Sequence, residues 1–486
     1  MGRHPDPRPA SPDAAAPPEP AIPAPAPSSR RWTRTAGRLV VVALALLLGG
    51  WAGLNAVGAA GITDPVAVAA ATPTPPPSDS LSPAASSPAS PAPAAASASP
   101  SASPAPTIPP RLGAAEGLSR PRITTVPIGV RLQAELDRLQ RRLGIPGVSV
   151  SVIFRDGTTW TGTSGLADVR SKVPVKDGTA FAVGSISKTY TAALILALAG
   201  DGKIDLDKPA ATYLPFALDR RITVRMLLDH TSGLDDFFIH GAIDTALQKQ
   251  PSAHWSVART LKYVAKPYFP PGKGYHYSNT NYLYLGLIAE AVTKTPLGKA
   301  LHERFFAPLG LDQTWYQAAE KPRAPTAHGY RFVGTSRTAP PIDLSDGTGI
   351  VPFTSVVTAA GGAGSIATTS MDAAKWARLL YSGNVLGPDM TTQMLKGVGL
   401  TAAYKPRVPY GLGVQAFPID GRLTVGHSGT LLGFRGAMRY LPGEATTIAV
   451  LTNQSRTDPG VIVQRLLSIV FAPAPDCFRC GIASAS

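Results

Sequence analysis

The sequence predicts an α+β fold: strands from both ends of one globular domain form an antiparallel sheet flanked by helices, with a mainly helical subdomain between them. Residues 147–154 are rich in β-branched side chains and alternate in polarity, as a strand does. Far along the chain, Leu423–His427, Phe434–Leu441 and Thr446–Leu451 read as three more strands, with Pro442-Gly443 turning between the last two. Between these ends, roughly residues 205–400 mix helical patterns with long loops.

The chain has 486 residues and 49 prolines, and the prolines are concentrated in the first quarter. Residues 1–38 carry six Arg against Asp6, Asp13 and Glu19, so a disordered, basic tail is expected there. Arg30, Arg31, Arg34 and Arg38 precede an uncharged apolar stretch, residues 39–62. As a helix this stretch is about 36 Å long, enough to cross a hydrocarbon layer of about 30 Å with some tilt. Arginines on its N-terminal side alone imply a single-pass membrane anchor with a cytoplasmic N-terminus and an extracytoplasmic globular domain. The alternative is a signal peptide cut near Ala67-Val68-Ala69 or Ala69-Ala70-Ala71, giving a secreted protein. The long segment before the apolar stretch favours the anchor. Residues 63–122 form a Pro/Ala/Ser-rich linker, expected to be semi-extended.

The globular domain is assigned to residues 123–475. It opens with a helix over Val130–Leu143, whose apolar positions Leu132, Leu136, Leu139 and Leu143 follow helical spacing. After the strand at 147–154, Asp156-Gly157 turns the chain and Thr158–Gly162 returns as a hairpin. A helix follows through Ser185 and the apolar run Ala192–Leu198, ending near Gly200-Asp201-Gly202. Gly361-Gly362-Ala363-Gly364 marks a tight backbone site before a helix around Met371–Tyr381, and an amphipathic helix, Val461–Phe471, closes the domain.

The net charge is +15, nearly all of it in the globular part, which suits an anionic surface or polymer. No Lys/Arg cluster with interleaved aromatics marks a nucleic-acid groove, so no nucleic-acid partner is expected. The two cysteines, Cys477 and Cys480, lie in the tail 476–486. They lack both the βαβ context of a redox motif and the further ligands of a zinc site. No H-E-x-x-H or His/Cys/Asp cluster argues for a metal, and no cofactor is expected.

Three motifs carry chemistry. Ser185 and Lys188 stand three apart near a helix start, about one turn from each other on one face. A serine hydroxyl is a weak nucleophile and needs a base within hydrogen-bond reach; a lysine of lowered pKa can be that base. Alone, S-x-x-K recurs by chance on the order of once in such a chain. Tyr277-Ser278-Asn279 and His427-Ser428-Gly429, followed by Thr430, complete the set in the order S-x-x-K, Y-x-N, H-x-G.

This set, with His230-Thr231-Ser232-Gly233-Leu234 and Gly426–Thr430 as context, resembles the serine β-lactamase and penicillin-binding superfamily, in its class C β-lactamase and D-alanyl-D-alanine carboxypeptidase branch. The resemblance covers about residues 123–472 and implies the β-lactamase/DD-peptidase-like fold. It implies Ser185 as nucleophile, Lys188 and Tyr277 as candidate bases, and Asn279 as a partner of Lys188 and of the substrate amide. His427, Ser428, Gly429 and Thr430 become the wall that binds substrate, with the N–H groups of Ser185 and Thr430 as the oxyanion hole. Lys188 and His427 are expected to supply a positive field that lowers the Tyr277 pKa. Asp229-His230 invites a Ser-His-Asp reading, but no G-x-S-x-G elbow accompanies it, and the segment is read as a loop supporting the cleft.

His-x-Gly in place of Lys-Thr-Gly resembles the carboxypeptidases and esterase-like relatives. The function implied is an extracytoplasmic hydrolase of acyl-D-Ala-D-Ala cell-wall peptides or esters, with β-lactams as acylating ligands. An esterase or a β-lactamase of the same fold is the alternative, and a non-catalytic β-lactam sensor the third reading. Histidine brings less charge than lysine to a substrate carboxylate, so another cation is needed; Arg435 is the sequence's candidate.

Overall fold

The computed structural model describes residues 127–317, 319–332, 340–396 and 410–472. Within it, helix α1 (Pro127–Leu143) leads into strands β1 (Gly147–Ile153), β2 (Thr159–Asp168) and β3 (Val173–Pro174). Helices α2 (Ser187–Gly200), α3 (Asn279–Thr293) and α4 (Ser370–Tyr381) are the main helices of the middle. Strands β4 (Gln415–Ile419), β5 (Arg422–Leu431), β6 (Phe434–Leu441) and β7 (Thr446–Thr452) and helix α5 (Gly460–Val470) close the domain.

These seven strands form one sheet in the order β3-β2-β1-β7-β6-β5-β4. The two ends of the domain meet where β1 pairs antiparallel with β7, Val150 opposite Val450. This is the α+β arrangement expected, with N- and C-terminal strands sharing one sheet.

The sheet is covered on both faces, which the Val/Ser alternation of β1 disguises. Val148, Val150 and Val152 join one core with Leu132, Leu136 and Leu139 of α1 and Ile462, Val463 and Leu466 of α5. The serines between them also avoid water. Ser149 and Ser151 hydroxyls lie 2.8 and 2.7 Å from Ser370 Oγ at the start of α4. Every residue of β1 is therefore buried, because hydroxyls that bond each other satisfy a polar face without solvent.

The second and larger core surrounds α2, which is buried from Ser187 to Leu198. A helix apolar all round needs cover on every side, and the elements of the middle provide it. Tyr190 stacks on Trp376 of α4 at 4.2 Å, and Trp376 Nε1 donates to Thr189 Oγ1.

Two boundaries depart from the sequence reading. β2 runs to Asp168, six residues beyond the expected hairpin arm. β5 continues past His427 to Leu431, because β6 pairs with it through Ser428–Ala437, Thr430–Arg435 and Leu431–Phe434. Ser428-Gly429, locally a turn-like pair, is thus held in mid-strand by its partner. Among the described residues no helix is long and apolar enough to cross a membrane. The expected anchor at 39–62, the tail 1–38, the linker and the cysteine pair lie outside those residues.

Candidate active site

Ser185 sits in a 3-10 turn, Gly184–Ile186, immediately ahead of α2 and not within the α-helix itself. Gly184 has φ +49, and a Cβ there would fall 2.6 Å from Thr430 O and 3.0 Å from Thr430 N. Gly429 has the same character from the other side: a Cβ would meet Val183 O at 1.9 Å. Two glycines therefore let β5 lie directly against the serine turn. This is the physical meaning of the glycine in H-x-G: it brings the Thr430 backbone beside Ser185.

Lys188, one turn into α2, is fully buried. Its Nζ lies 3.1 Å from Ser185 Oγ, 2.7 Å from Asn279 Oδ1 and 2.9 Å from Ala363 O. Asn279 opens α3, and Ala363 ends the tight turn Gly361–Ala363. There a Cβ on Gly362 would come within 2.6 Å of Tyr282 O, so the glycine pair seats that carbonyl under the lysine. Burial lowers the Lys188 pKa to about 7, against a raising effect from the carboxylate of Asp236. The two oxygens Asn279 Oδ1 and Ala363 O accept only, so they use both N–H groups of a neutral amine. Its lone pair is left facing the Ser185 hydroxyl.

Tyr277 completes this wall. Its hydroxyl hydrogen-bonds the Ser185 side chain, and its ring centroid is 5.0 Å from Lys188 Nζ. Burial pushes its pKa well above the ordinary phenol value, and Asp236 adds to the rise. The phenol therefore stays protonated at neutral pH. The positive field expected from His427 is absent. Burial, then Lys188, drive the His427 pKa down to about 3. Its Nδ1 is 2.6 Å from Ser428 O, and its Nε2 is 2.9 Å from the hydroxyl of Tyr410. The ring is neutral, with Nδ1–H donating to the carbonyl and Nε2 accepting from Tyr410.

Ser428 alternates to the other face of β5 and lies half-buried where β4 has ended, its last pair being Gln415 with Gly426. Register explains a cation that motif reading missed. Gln415, Gly426 and Arg439 form one row across β4, β5 and β6, and the glycine leaves room for the two long side chains to meet. Arg439 Nη2 donates to Gln415 Oε1 at 2.9 Å and to Ser428 Oγ at 2.7 Å. The guanidinium stacks 4.3 Å from the Phe417 ring, and burial lowers its pKa to about 10. Among the described residues it makes no ion pair. Arg435 of β6, the sequence's candidate, lies opposite Thr430 of β5 and is also buried.

Asp229 and His230 do not join Ser185. Asp229 Oδ1 accepts from the Thr231 hydroxyl and backbone N–H, and burial raises its pKa to about 6. His230 packs its ring 4.3 Å from that of Tyr277, and its Nδ1 accepts from Ser278 N–H at 3.1 Å. The segment thus buttresses the Tyr277 loop, as the sequence reading has it. Elsewhere, Asp168, His328 and Asp343 bring ligand-type atoms together, where His328 Nδ1 pairs with Asp343 Oδ2 at 2.9 Å.

The residues of the three motifs, Ser185, Lys188, Tyr277, Asn279, His427, Ser428, Gly429 and Thr430, thus fall along the serine turn with the first turn of α2, the segment 277–279 that leads into α3, and β5. Fold and cleft together define a serine hydrolase of the β-lactamase and penicillin-binding fold. The family model described as Beta-lactamase matches residues 132–469, and the chain belongs to that family. It is 29% identical over 342 residues to penicillin-binding protein 4 of Amycolatopsis lactamdurans, covering 66% of this chain and 84% of that one. A D-aminopeptidase of Cereibacter sphaeroides is 27% identical over 329 residues, and the match spans 66% of this chain and 59% of the relative. Among solved structures, a D-stereospecific amidohydrolase from Streptomyces superposes with a TM-score of 0.58 at 28% identity, over 72% of this chain and 98% of that one.

Proposed function

We propose that the protein is a D-alanyl-D-alanine carboxypeptidase-type hydrolase working through an acyl-Ser185 intermediate. The observation that carries the chemistry is the buried Lys188 amine, 3.1 Å from Ser185 Oγ and with a pKa near 7. The neutral amine takes the serine proton as Oγ bonds to the substrate carbonyl carbon. The N–H groups of Ser185 and Thr430 hold the oxyanion. The intermediate collapses with cleavage of the C–N bond, and the proton passes from Lys188 through the Tyr277 hydroxyl to the leaving nitrogen. Asn279 holds Lys188 in place through Oδ1; its Nδ2 is turned to Asp236 and not to the substrate amide. Water then cleaves the ester and restores the serine. Tyr277 acts as a protonated relay in this reading and Lys188 as the base, which divides the roles of the pair.

The carboxypeptidase type rests on Arg439. Its Nη2 occupies a lone pair of Ser428 Oγ, which turns the serine O–H outward as a donor to a substrate carboxylate. The names of the relatives, which speak of D-amino acids and of penicillin, support a D-residue at the scissile bond. The apolar stretch 39–62, with arginines on its N-terminal side alone, and the strongly basic domain support a site outside the membrane on anionic wall polymer. Arg439→Met is expected to raise KM for an acyl-D-Ala-D-Ala peptide about tenfold or more, while leaving turnover of a carboxylate-free ester near wild type. The size follows from a charge-assisted hydrogen bond of about 1.5–3 kcal/mol. Steady-state kinetics on the two substrates checks it, and equal losses on both would remove Arg439 from carboxylate recognition. A second reading, a D-aminopeptidase or amidase, is favoured by the D-aminopeptidase and amidohydrolase relatives. Faster hydrolysis of a D-amino acid amide than of the acyl dipeptide would establish that reading over the first.

A further inference from the structure

One buried carboxylate adjoins the cleft without belonging to any of the three motifs. Asp236 is 5% exposed and caps the turn Phe237–Ile239, its Oδ1 accepting from Phe238 N–H at 3.1 Å. Both of its carboxylate oxygens also accept from Asn279 Nδ2, at 2.9 and 3.2 Å. Burial raises the Asp236 pKa; the N–H donors of Phe238 and Asn279 and the charge of Lys188 oppose that rise and favour the ionised form. Asn279 presents its other end, Oδ1, to Lys188 Nζ at 2.7 Å. The order Asp236–Asn279–Lys188–Ser185 is therefore a continuous chain of hydrogen bonds from a buried anion to the hydroxyl.

We propose that Asp236 is a positioning residue for the acylation step: it orients the Asn279 amide toward Lys188 and places a negative charge behind the amine. The inference rests on the acyl-serine reading above and deepens it. An amide side chain can present either its oxygen or its NH2 group to a neighbour. Only the oxygen serves a lysine that must donate, and two carboxylate contacts to Nδ2 select that orientation. The same anion opposes the effect of burial. Without it, burial would lower the Lys188 pKa further.

The other groups around Lys188 leave Asp236 as the charge that matters. His427 on β5 and His230 below the Tyr277 loop are both held neutral by burial, with Lys188 adding to the effect. Tyr277, and Tyr282 on α3 with its ring 5.4 Å from Nζ, have pKa values raised by burial and stay protonated. Tyr268, which also feels Asp236, is raised by burial as well. Ser185, Asn279 and Ala363 O are uncharged. Among the described residues, Asp236 is the carboxylate whose charge acts on Lys188.

The sign follows. The anion favours protonated lysine, so removing it makes the amine neutral at lower pH. The pH profile of acylation by an activated ester is therefore expected to keep its shape in Asp236→Asn, with its acid limb displaced downward by about 1–3 pH units. Asp236→Glu, which keeps the charge, should leave the limb at its wild-type position. Asp236→Ser retains a capping oxygen for Phe238 N–H and gives the same test if the asparagine variant does not fold. An acid limb unmoved in the neutral variants, with a lower plateau or a lower melting temperature, would overturn the proposal and leave Asp236 a structural cap. A limb moved equally in Asp236→Glu would overturn it too. Failure of the acyl-serine reading is separately visible, as undiminished labelling of Ser185→Ala.

Discussion

Lys188→Met is expected to slow acylation of Ser185 by about 10²–10⁴-fold, the range for loss of a positioned general base, while the protein stays folded. Methionine matches lysine in length and removes an amine that is buried at a cost. Asn279 Oδ1 and Ala363 O lose their donor, and each unpaired acceptor costs about 1–3 kcal/mol. Relief of the buried amine offsets part of that. The informative readout is the rate of covalent labelling by an activated ester, followed by intact-protein mass, alongside thermal unfolding. Wild-type labelling should rise with pH through about 7 as the amine loses its proton. The variant should lose that dependence as well as the rate. A variant that labels at wild-type speed would show that another group takes the serine proton.

Gly429→Ala is the second large effect, and it tests geometry instead of proton transfer. The added Cβ would sit 1.9 Å from Val183 O, a backbone atom that cannot swing aside. Either β5 or the Val183–Ser185 turn must move, and the Thr430 N–H separates from the position of the oxyanion. Loss of an oxyanion donor costs about 10²–10³ in turnover, so kcat should fall by that order. Some stability should go with it, because Gly429 is buried in mid-strand between Gly436 of β6 and the turn. Gly443→Ala, where nothing lies within 4 Å, is the matched control and should behave as wild type. Equal kinetics for the two alanine variants would contradict the close approach of strand and turn.

Much of this cleft is legible in sequence because its chemistry is concentrated in short motifs. Ser185 with Lys188, Tyr277 with Asn279, and His427 to Thr430 are each contiguous, and the fold needs only to bring three segments together. The Gly361–Gly364 run also announced itself, since repeated glycine signals backbone packed against backbone. What stayed hidden depends on register and depth. Arg439 reaches Ser428 only because β6 pairs with β5 so that Arg439 falls opposite Gly426. Asp236 follows Asp235 in a stretch that reads as an ordinary acidic loop, and only the fold turns it onto Asn279. Tyr410 meets His427 from the segment before β4, seventeen residues away along the chain.

Charge was the least legible property. His427 looks like a cation in sequence, yet burial and the neighbouring lysine make it neutral, with both ring nitrogens engaged. The Tyr277 pKa accordingly rises where a positive field would lower it. Protonation state is a property of the folded neighbourhood, and no motif carries it. The strand boundaries were missed for a related reason. Ser428-Gly429 favours a turn locally, but seven consecutive pairs with β6 keep it extended.

The central intermediate of the proposed reaction is an ester formed at Ser185 Oγ. Intact and peptide mass spectrometry after incubation with a penicillin, and separately with an acyl-D-Ala-D-Ala peptide, tests it most directly. A penicilloyl mass increment that maps to the peptide containing Ser185 and release of D-alanine from the dipeptide substrate are expected, and neither in Ser185→Ala. An adduct on another residue, or an undiminished adduct in Ser185→Ala, would contradict that intermediate.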